Sequence, residues 1–431
     1  MSRQQIAVIG AGIAGLSSTW LLSQKYNVTL FERNDWYGGH ANTVDVQTKQ
    51  GKFSIDTGFV VYNDKNYPNL IALFKHLKVL TQPTDMSFAV SINRGQLEYS
   101  GDGLNGIFAQ RRNLFNPQQW RLLFGILKFN RDAKSFLQKQ NDLELSLGDF
   151  LENGGHSEIM QQRYLLPMGA AIWSCPVETM LQFPAHSFIQ FCENHGLLDL
   201  KGRPQWRTLI NGSQQYVQAI LKDLPDSVEL LGGADSVARS DDGVRVKCGG
   251  KIYEFDEVVF ACHADEALAL LEQPSADEKR VVGSFKYQQN HTWLHSDKSL
   301  MPKTRSTWSS WNYLAQWQQQ EVPVMSATYW ANNLHRFECD ADYFVSLNPP
   351  AKPANDTVLK EIWYAHPIFD QAALKAKQEL PSIQGANNTW YCGSYAGFGF
   401  HEDAISSAIN TCSLLGVAAP WVSNDDQSAL T

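Results

Sequence analysis

The chain has 431 residues, 43% of them hydrophobic and 19% charged, with a net charge of −8. That length exceeds one ordinary core, so two domains or one heavily inserted domain are expected. The acidic balance argues against non-specific nucleic-acid binding. Seven scattered cysteines with no C-x-x-C pair argue against a disulfide framework or a thiolate zinc site and fit a reducing compartment.

The N-terminus "MSRQQIAVIG" enters an apolar strand directly, with no room for a signal-peptide core, so a cytoplasmic location is expected. Ile6–Ile9 is a short apolar run of the kind that makes a buried parallel strand. Gly10, Gly12 and Gly15 follow in G-x-G-x-x-G spacing, then a helical pattern with Leu16, Trp20 and Leu21. A second strand, Val28 to Phe31, ends in Glu32, 17 residues after Gly15. Gly10 permits a tight turn, Gly12 lets backbone approach a pyrophosphate, and Gly15 lets helix and strand pack closely. The pyrophosphate then sits on the helix N-terminus, and Glu32 accepts the ribose hydroxyls.

Next, "NDWYGGHANT" brings Gly38 and Gly39, with His40 beside that bend as a candidate catalytic residue. "FSIDTGFVVYN" supplies a strand, then Asp56-Thr57-Gly58, then another apolar run. A second glycine pair is not needed for NAD but suits a longer ligand, and Gly58 has no side chain to hold a ring away. FAD is therefore expected rather than NAD. Further on, Arg111, Arg112, Arg121, Lys128 and Arg131 interleave with Phe115, Trp120, Phe124 and Phe129, and Pro117 marks a helix start. A basic, aromatic-rich amphipathic helix in an acidic protein is what a membrane-surface element needs; an ordinary internal helix is the competing reading. No run of about 18 apolar residues occurs, so no bilayer span is expected.

Thr208 to Leu224 reads as a helix after a turn, followed by a strand meander with turns at Gly232-Gly233, Asp242-Gly243 and Gly249-Gly250. Glu257–Ala261 and a helix over Asp265–Leu271 return to the parallel sheet, with His263 read as structural. In "YCGSYAGFGFHEDAISSAINTCSLLG" the last strand closes at Gly393, and Gly397 and Gly399 let backbone approach a flavin. A helix over Ala404, Ala408 and Cys412 then stops before Gly416. Its N-terminus would favour the charge that a flavin pyrimidine gains on reduction. Two carboxylates there would oppose that effect, so Glu402 or Asp403 is expected to cap the helix, turned away from the ring. His401 reads either as a group that stabilises reduced flavin or accepts a proton, or as a structural histidine.

These motifs together resemble the flavin-containing amine oxidase superfamily, which also holds protoporphyrinogen oxidases and phytoene-type desaturases. "GGHANTV", "IDTGFVVYN", "IWSCP", "GRPQW" and "YCGSYAGFGFHEDA" are more specific. They are similar to a branch of predicted NAD/FAD-binding oxidoreductases, itself similar to the N-terminal flavin domain of plant cyclopropane fatty acid synthases. The resemblance spans about residues 5 to 416. It implies an α/β fold: a Rossmann-like FAD-binding domain from 1–75, 205–275 and 376–420, and a discontinuous α+β substrate domain from 76–204 and 276–375. Residues 421–431 would be a tail.

By the same resemblance, non-covalent FAD is held at the first turn by Gly10, Gly12, Ile13, Ala14 and Gly15, and beyond it by Glu32 and Arg33. Gly38, Gly39 and His40 form the second bend, and Thr57, Gly58, Phe59 and Val60 the third. Val237 meets the adenine through its backbone, and Gly393, Ser394, Phe400, His401, Glu402 and Ala404 complete the site. Trp173, Cys175, Trp311, Tyr329 and Trp330 line the substrate cavity, with His401 and His40 the catalytic candidates. The implied activity is FAD-dependent oxidation or desaturation of a methyl-branched or unsaturated fatty acyl chain, a hydride passing to flavin N5. The rivals are an amine oxidase acting on a polyamine or aromatic amine, and a non-catalytic flavoprotein partner of a lipid methyltransferase. A membrane surface reached through 111–131 is a further expectation; neither a metal nor nucleic acid is expected.

Overall fold

The strands Gln5–Ile9 and Asn27–Phe31 each bury four of five residues and carry no polar face. Such strands need cover on both sides, which a parallel sheet flanked by other elements provides. In the computed structural model, which describes residues 3–101, 103–139, 145–173, 177–199, 202–316 and 324–422, they lie at the middle of a five-stranded parallel sheet. Its order is Glu229–Leu231, Asn27–Phe31, Gln5–Ile9, Glu257–Phe260, Thr389–Tyr391. Three distant stretches of chain therefore supply one sheet.

The helices that position the site are α1 (Ile13–Leu22), α2 (Pro68–His76), α3 (Pro117–Gln138), α4 (Ala185–Asn194), α5 (Gln214–Asp223) and α6 (His401–Leu414). All ten residues of α1 are buried, because α5 and α6 cover the face that the sheet does not. The other face of the sheet packs Phe31, Val258 and Phe260 against the antiparallel meander of Ser236–Ser240, Gly243–Cys248 and Lys251–Phe255. The meander turns where the glycines predict it. Trp421, just past the last helix, stacks on Trp20 with ring centroids 6.0 Å apart.

A second, seven-stranded sheet runs Val358–Ile368, Lys286–His295, Phe344–Leu347, Val324–Trp330, Trp311–Gln316, Phe88–Ile92, Leu97–Ser100. Its pairings are antiparallel except that of Trp311–Gln316 with Phe88–Ile92. Helices α3 and α4 join one core with Trp311, Tyr313 and the residues around Trp173. The sequence expectation of a helix starting at Pro117 holds: Asn116 caps α3 by accepting the Gln118 N–H. No helix among the described residues is long and apolar enough to cross a membrane.

Candidate active site

The first bend is built as its glycines demand. Gly10 has φ +99°, and a Cβ on Gly15 would lie 1.7 Å from the Gly10 carbonyl oxygen. A Cβ on Gly12, by contrast, would meet nothing within 4 Å. Helix α1 starts at that open face with no side-chain cap and no acid in its first turn, so the N–H donors and partial positive charge at Ile13 and Ala14 carry no built-in counterpart. Glu32 stands beside it: its carboxylate accepts the Ala11 N–H at 2.7 Å and the Asn34 N–H at 2.9 Å. Arg33 is exposed and pairs with Glu266.

The second and third bends are zipped together. Gly38 donates its N–H to the Ala11 carbonyl at 2.8 Å, placing Gly39 against Gly12. Phe59 donates to the His40 carbonyl at 2.7 Å, and a Cβ on Gly58 would lie 2.3 Å from that same oxygen. Thr57 closes a ring of hydrogen bonds: Asn42 Nδ2 donates to Tyr364 Oη, Tyr364 Oη to Thr57 Oγ1, and Thr57 Oγ1 to the Asn42 carbonyl. Val60 receives the Thr208 hydroxyl on its carbonyl.

His40 sits against residues that sequence reading did not nominate. Its ring stacks on Tyr364 at 4.8 Å and lies 5.2 Å from His366 and 6.2 Å from His263. Burial, then the neighbouring histidines, hold His40 well below the usual imidazole range, and its Nε2 is buried without a hydrogen-bond partner. His366 is pushed down to about 4 by burial and by His263. Asn290 Nδ2 donates to His366 Nδ1 at 2.7 Å, and Asn348 Nδ2 donates to Asn290 Oδ1 at 2.7 Å. That relay makes Nδ1 the acceptor and leaves the proton of neutral His366 on Nε2. Tyr364 and His366 reach the site because they are two apart on one strand and so share a face. The alternation in "WYAHP" was a signal available in the sequence; its destination was not.

The C-terminal turn resolves the crowding of His401, Glu402 and Asp403. Asp403 Oδ2 accepts the Phe400 N–H at 2.9 Å and caps α6. Glu402 caps a different helix: its two oxygens accept the Asn69 and Leu70 N–H groups of α2, both at 2.9 Å. Both carboxyls are buried, which pushes them up. The Glu402 carboxylate therefore faces α2 rather than its own turn, its two oxygens taken up 333 and 332 residues away. Glu402→Ala should cost ~1–3 kcal/mol in a denaturant titration, since it strands two buried donors, while the visible flavin spectrum stays unchanged. A shifted spectrum would return Glu402 to the cofactor.

His401 stacks on Phe59 with centroids 3.7 Å apart, and Tyr216 Oη lies 3.2 Å from its Nε2. Burial pushes it down to about 3, which favours the neutral ring. Gly393 has its N–H and carbonyl engaged by the Ser407 hydroxyl, followed by Ser394 in a short turn, and Ala404 is buried behind.

Phe400 faces the other way, stacking on Phe191 at 5.0 Å and meeting Trp173 at 6.4 Å. Trp173 in turn packs on Phe183, Phe188 and Phe191. Trp311 and Tyr329 stack at 5.8 Å and join the same core. Trp330 does not: side chains alternate along the strand, so it turns to the opposite side, donating to Asp342 and lying under Arg305. Val237 is fully buried, and its carbonyl accepts the Glu272 N–H. Cys175 lies outside the described residues.

A parallel sheet with a glycine-lined helix start at its centre and a second, aromatic-walled layer beside it defines a dinucleotide-dependent oxidoreductase. The family description "Flavin containing amine oxidoreductase" matches residues 13–331, well over half the chain, and the protein belongs to that family. Its cofactor is FAD. No curated protein matches in sequence. Among solved structures it is similar to the CLA-producing fatty acid isomerase from P. acnes (TM-score 0.66, 16% identity, 97% of this chain and 99% of that one). It is also similar to a putative protoporphyrinogen oxidase from an Exiguobacterium (0.65, 13%, 96% and 99%), and to putrescine oxidase solved with putrescine (0.64, 14%, 96% and 99%). At these identities the likeness is one of fold. The residues fit the flavin: Gly12 leaves open space at an uncapped helix start, Glu32 stands by for a ribose, and His40 Nε2 has no partner of its own.

Proposed function

We propose that this flavin oxidoreductase desaturates or otherwise oxidises a fatty acyl chain. What carries the reading is the apolar, aromatic layer that Phe400 joins beside the flavin turn, together with the engagement of most buried acids. Among the described residues, Asp56 is held by Ser213 and Thr43, Glu98 by the Lys303 and Thr304 N–H groups, and Glu278 by Arg239. Glu402 and Asp403 cap helices. Two buried oxygens, Asp56 Oδ2 (against His335) and Glu193 Oε2, have no hydrogen-bond partner, whereas Trp173 and Phe191, with Phe400 packed against them, belong to a hydrocarbon and aromatic core. A polyamine buried against that core would have to give up its hydration, at a cost of several kcal/mol; an acyl chain would not.

Bound FAD would supply the two-electron acceptor for a hydride equivalent from a substrate carbon, the adjacent carbon giving its proton to solvent or a base to leave a double bond. The chain's own contributions are orientation and exclusion of water: aromatic walls, two neutral imidazoles, and in His366 an Nε2–H donor held by Asn290. The isomerase from P. acnes shows that a protein of this fold works on fatty acids. Anaerobic mixing tests the reading. A phospholipid with unsaturated or methyl-branched acyl chains should bleach the flavin and yield product short of two hydrogens; putrescine and aromatic amines should not. Bleaching by an amine overturns it, and bleaching by neither favours a non-catalytic partner.

A further inference from the structure

We propose that the surface formed by residues 104–131 docks on an anionic lipid bilayer. Fourteen large apolar side chains stand exposed among the described residues, and six of them fall in this one stretch: Leu104, Leu114, Phe115, Trp120, Phe124 and Leu127. Phe115 is 90% exposed and Phe124 61%. The arrangement is continuous rather than scattered. Trp120, Phe124 and Leu127 recur at i, i+4 and i+7 on α3, opposite the buried Leu122, Ile126, Phe129, Ala133 and Phe136. Trp120 Nε1 donates to the Leu114 carbonyl at 2.9 Å, holding the turn that carries Leu114 and Phe115 beside the helix.

Helix α3 is therefore apolar on two faces, and the core accounts for only one. An apolar patch of this kind marks an interaction site, and its charge says with what. Residues 103–131 hold Arg111, Arg112, Arg121, Lys128 and Arg131 and no carboxylate, within a chain of net charge −8. Lys128 and Arg131 pair with Asp132, but Arg111, Arg112 and Arg121 form no ion pair among the described residues. Exposed aromatics rimmed by unpaired guanidinium groups suit an interface of acyl chains and anionic headgroups. The surface lies on the helical layer leading inward: α3 packs on α4, whose Phe191 stacks on Phe400. This inference does not depend on the acyl-chain reading of the active site.

Flavin-loaded full-length protein, spun with vesicles, supplies the test. It should co-sediment with vesicles of phosphatidylglycerol and phosphatidylcholine, bind pure phosphatidylcholine less, and be released by salt. Phe115→Ser with Phe124→Ser, and separately Arg111→Glu with Arg121→Glu, should each weaken binding about tenfold or more. All four positions are exposed, so flavin content and melting temperature should hold. Failure to bind anionic vesicles, or unaltered binding by both double variants, overturns the proposal. So does a stable dimer in sedimentation velocity that Phe115→Ser dissociates, because a second copy of the chain would then own the surface.

Discussion

Gly12→Ala should give a folded, colourless protein, and Gly15→Ala one that is colourless and unstable as well. The two glycines sit three residues apart on the same bend but face different things. A methyl on Gly15 would be driven to 1.7 Å from the Gly10 carbonyl oxygen, and Gly10 itself is wedged against Ala261 and Cys262. Neither side is a flexible side chain that can step aside. Relief requires α1 to move off the sheet, and all ten of its residues are packed. Overpacking of this kind costs ~1–3 kcal/mol or more, and it also displaces the N–H groups that would meet a pyrophosphate. On Gly12 the methyl meets nothing within 4 Å of the chain, and the extended φ of −70° suits alanine. The unliganded fold should hardly notice it, yet the methyl projects into the space that a pyrophosphate must enter. A loss of ~3 kcal/mol of binding is roughly a hundredfold in affinity. Flavin-to-protein ratio and apo-protein melting temperature separate the two effects. Full flavin occupancy in Gly12→Ala would show that the dinucleotide does not lie on this helix start.

Mild acid is the second expected large effect. Burial pushes His195, His295 and His366 down to about 4 and His401 to about 3. In the unfolded chain each takes up a proton near 6.5. Below that pH the unfolded state binds more protons than the folded one, so stability falls as pH falls. The histidine contribution is complete above about pH 7 and is lost progressively from 6.5 down to the folded values. At pH 5 each of the four costs on the order of 2 kcal/mol, together comparable to the whole stability of a typical protein. Asp56, Glu402 and Asp403 work the other way: burial raises their carboxyls, so protonation favours the folded state. They offset part of the loss as pH falls through their raised values. Denaturant titrations at pH 7.5 and pH 5 should differ by about 5 kcal/mol or more, with unfolding in the absence of denaturant between pH 4 and 6. A flat profile over that range would mean the imidazoles are not held neutral. His401→Phe, which keeps the stacking on Phe59, should shift the acid limb to lower pH.

Much of the cofactor half of the site was legible without coordinates. Glycine spacing, the acid at the end of the second strand and the proline before α3 each answer to a local demand on φ, on backbone approach or on a helix start. Such demands are written into a few consecutive residues. Side-chain direction within an element was legible only in part. Tyr329 and Trp330 are neighbours, and strand alternation sends one to the aromatic core and the other to Arg305 and Asp342. Which one goes where depends on the face the sheet presents to its helices.

By itself the sequence determined a glycine-lined bend before the first helix, a second glycine pair beside it, and a basic, aromatic helix beginning at Pro117. Only the tertiary structure decided which group each polar side chain answers to. Glu402 reads as a ligand of its own turn but caps a helix 333 residues earlier. His40 acquires Tyr364 and His366 from a strand of the other sheet. Local signals specify backbone conformation, whereas the partner of a buried polar group is settled when distant segments are packed and every desolvated donor must find an acceptor.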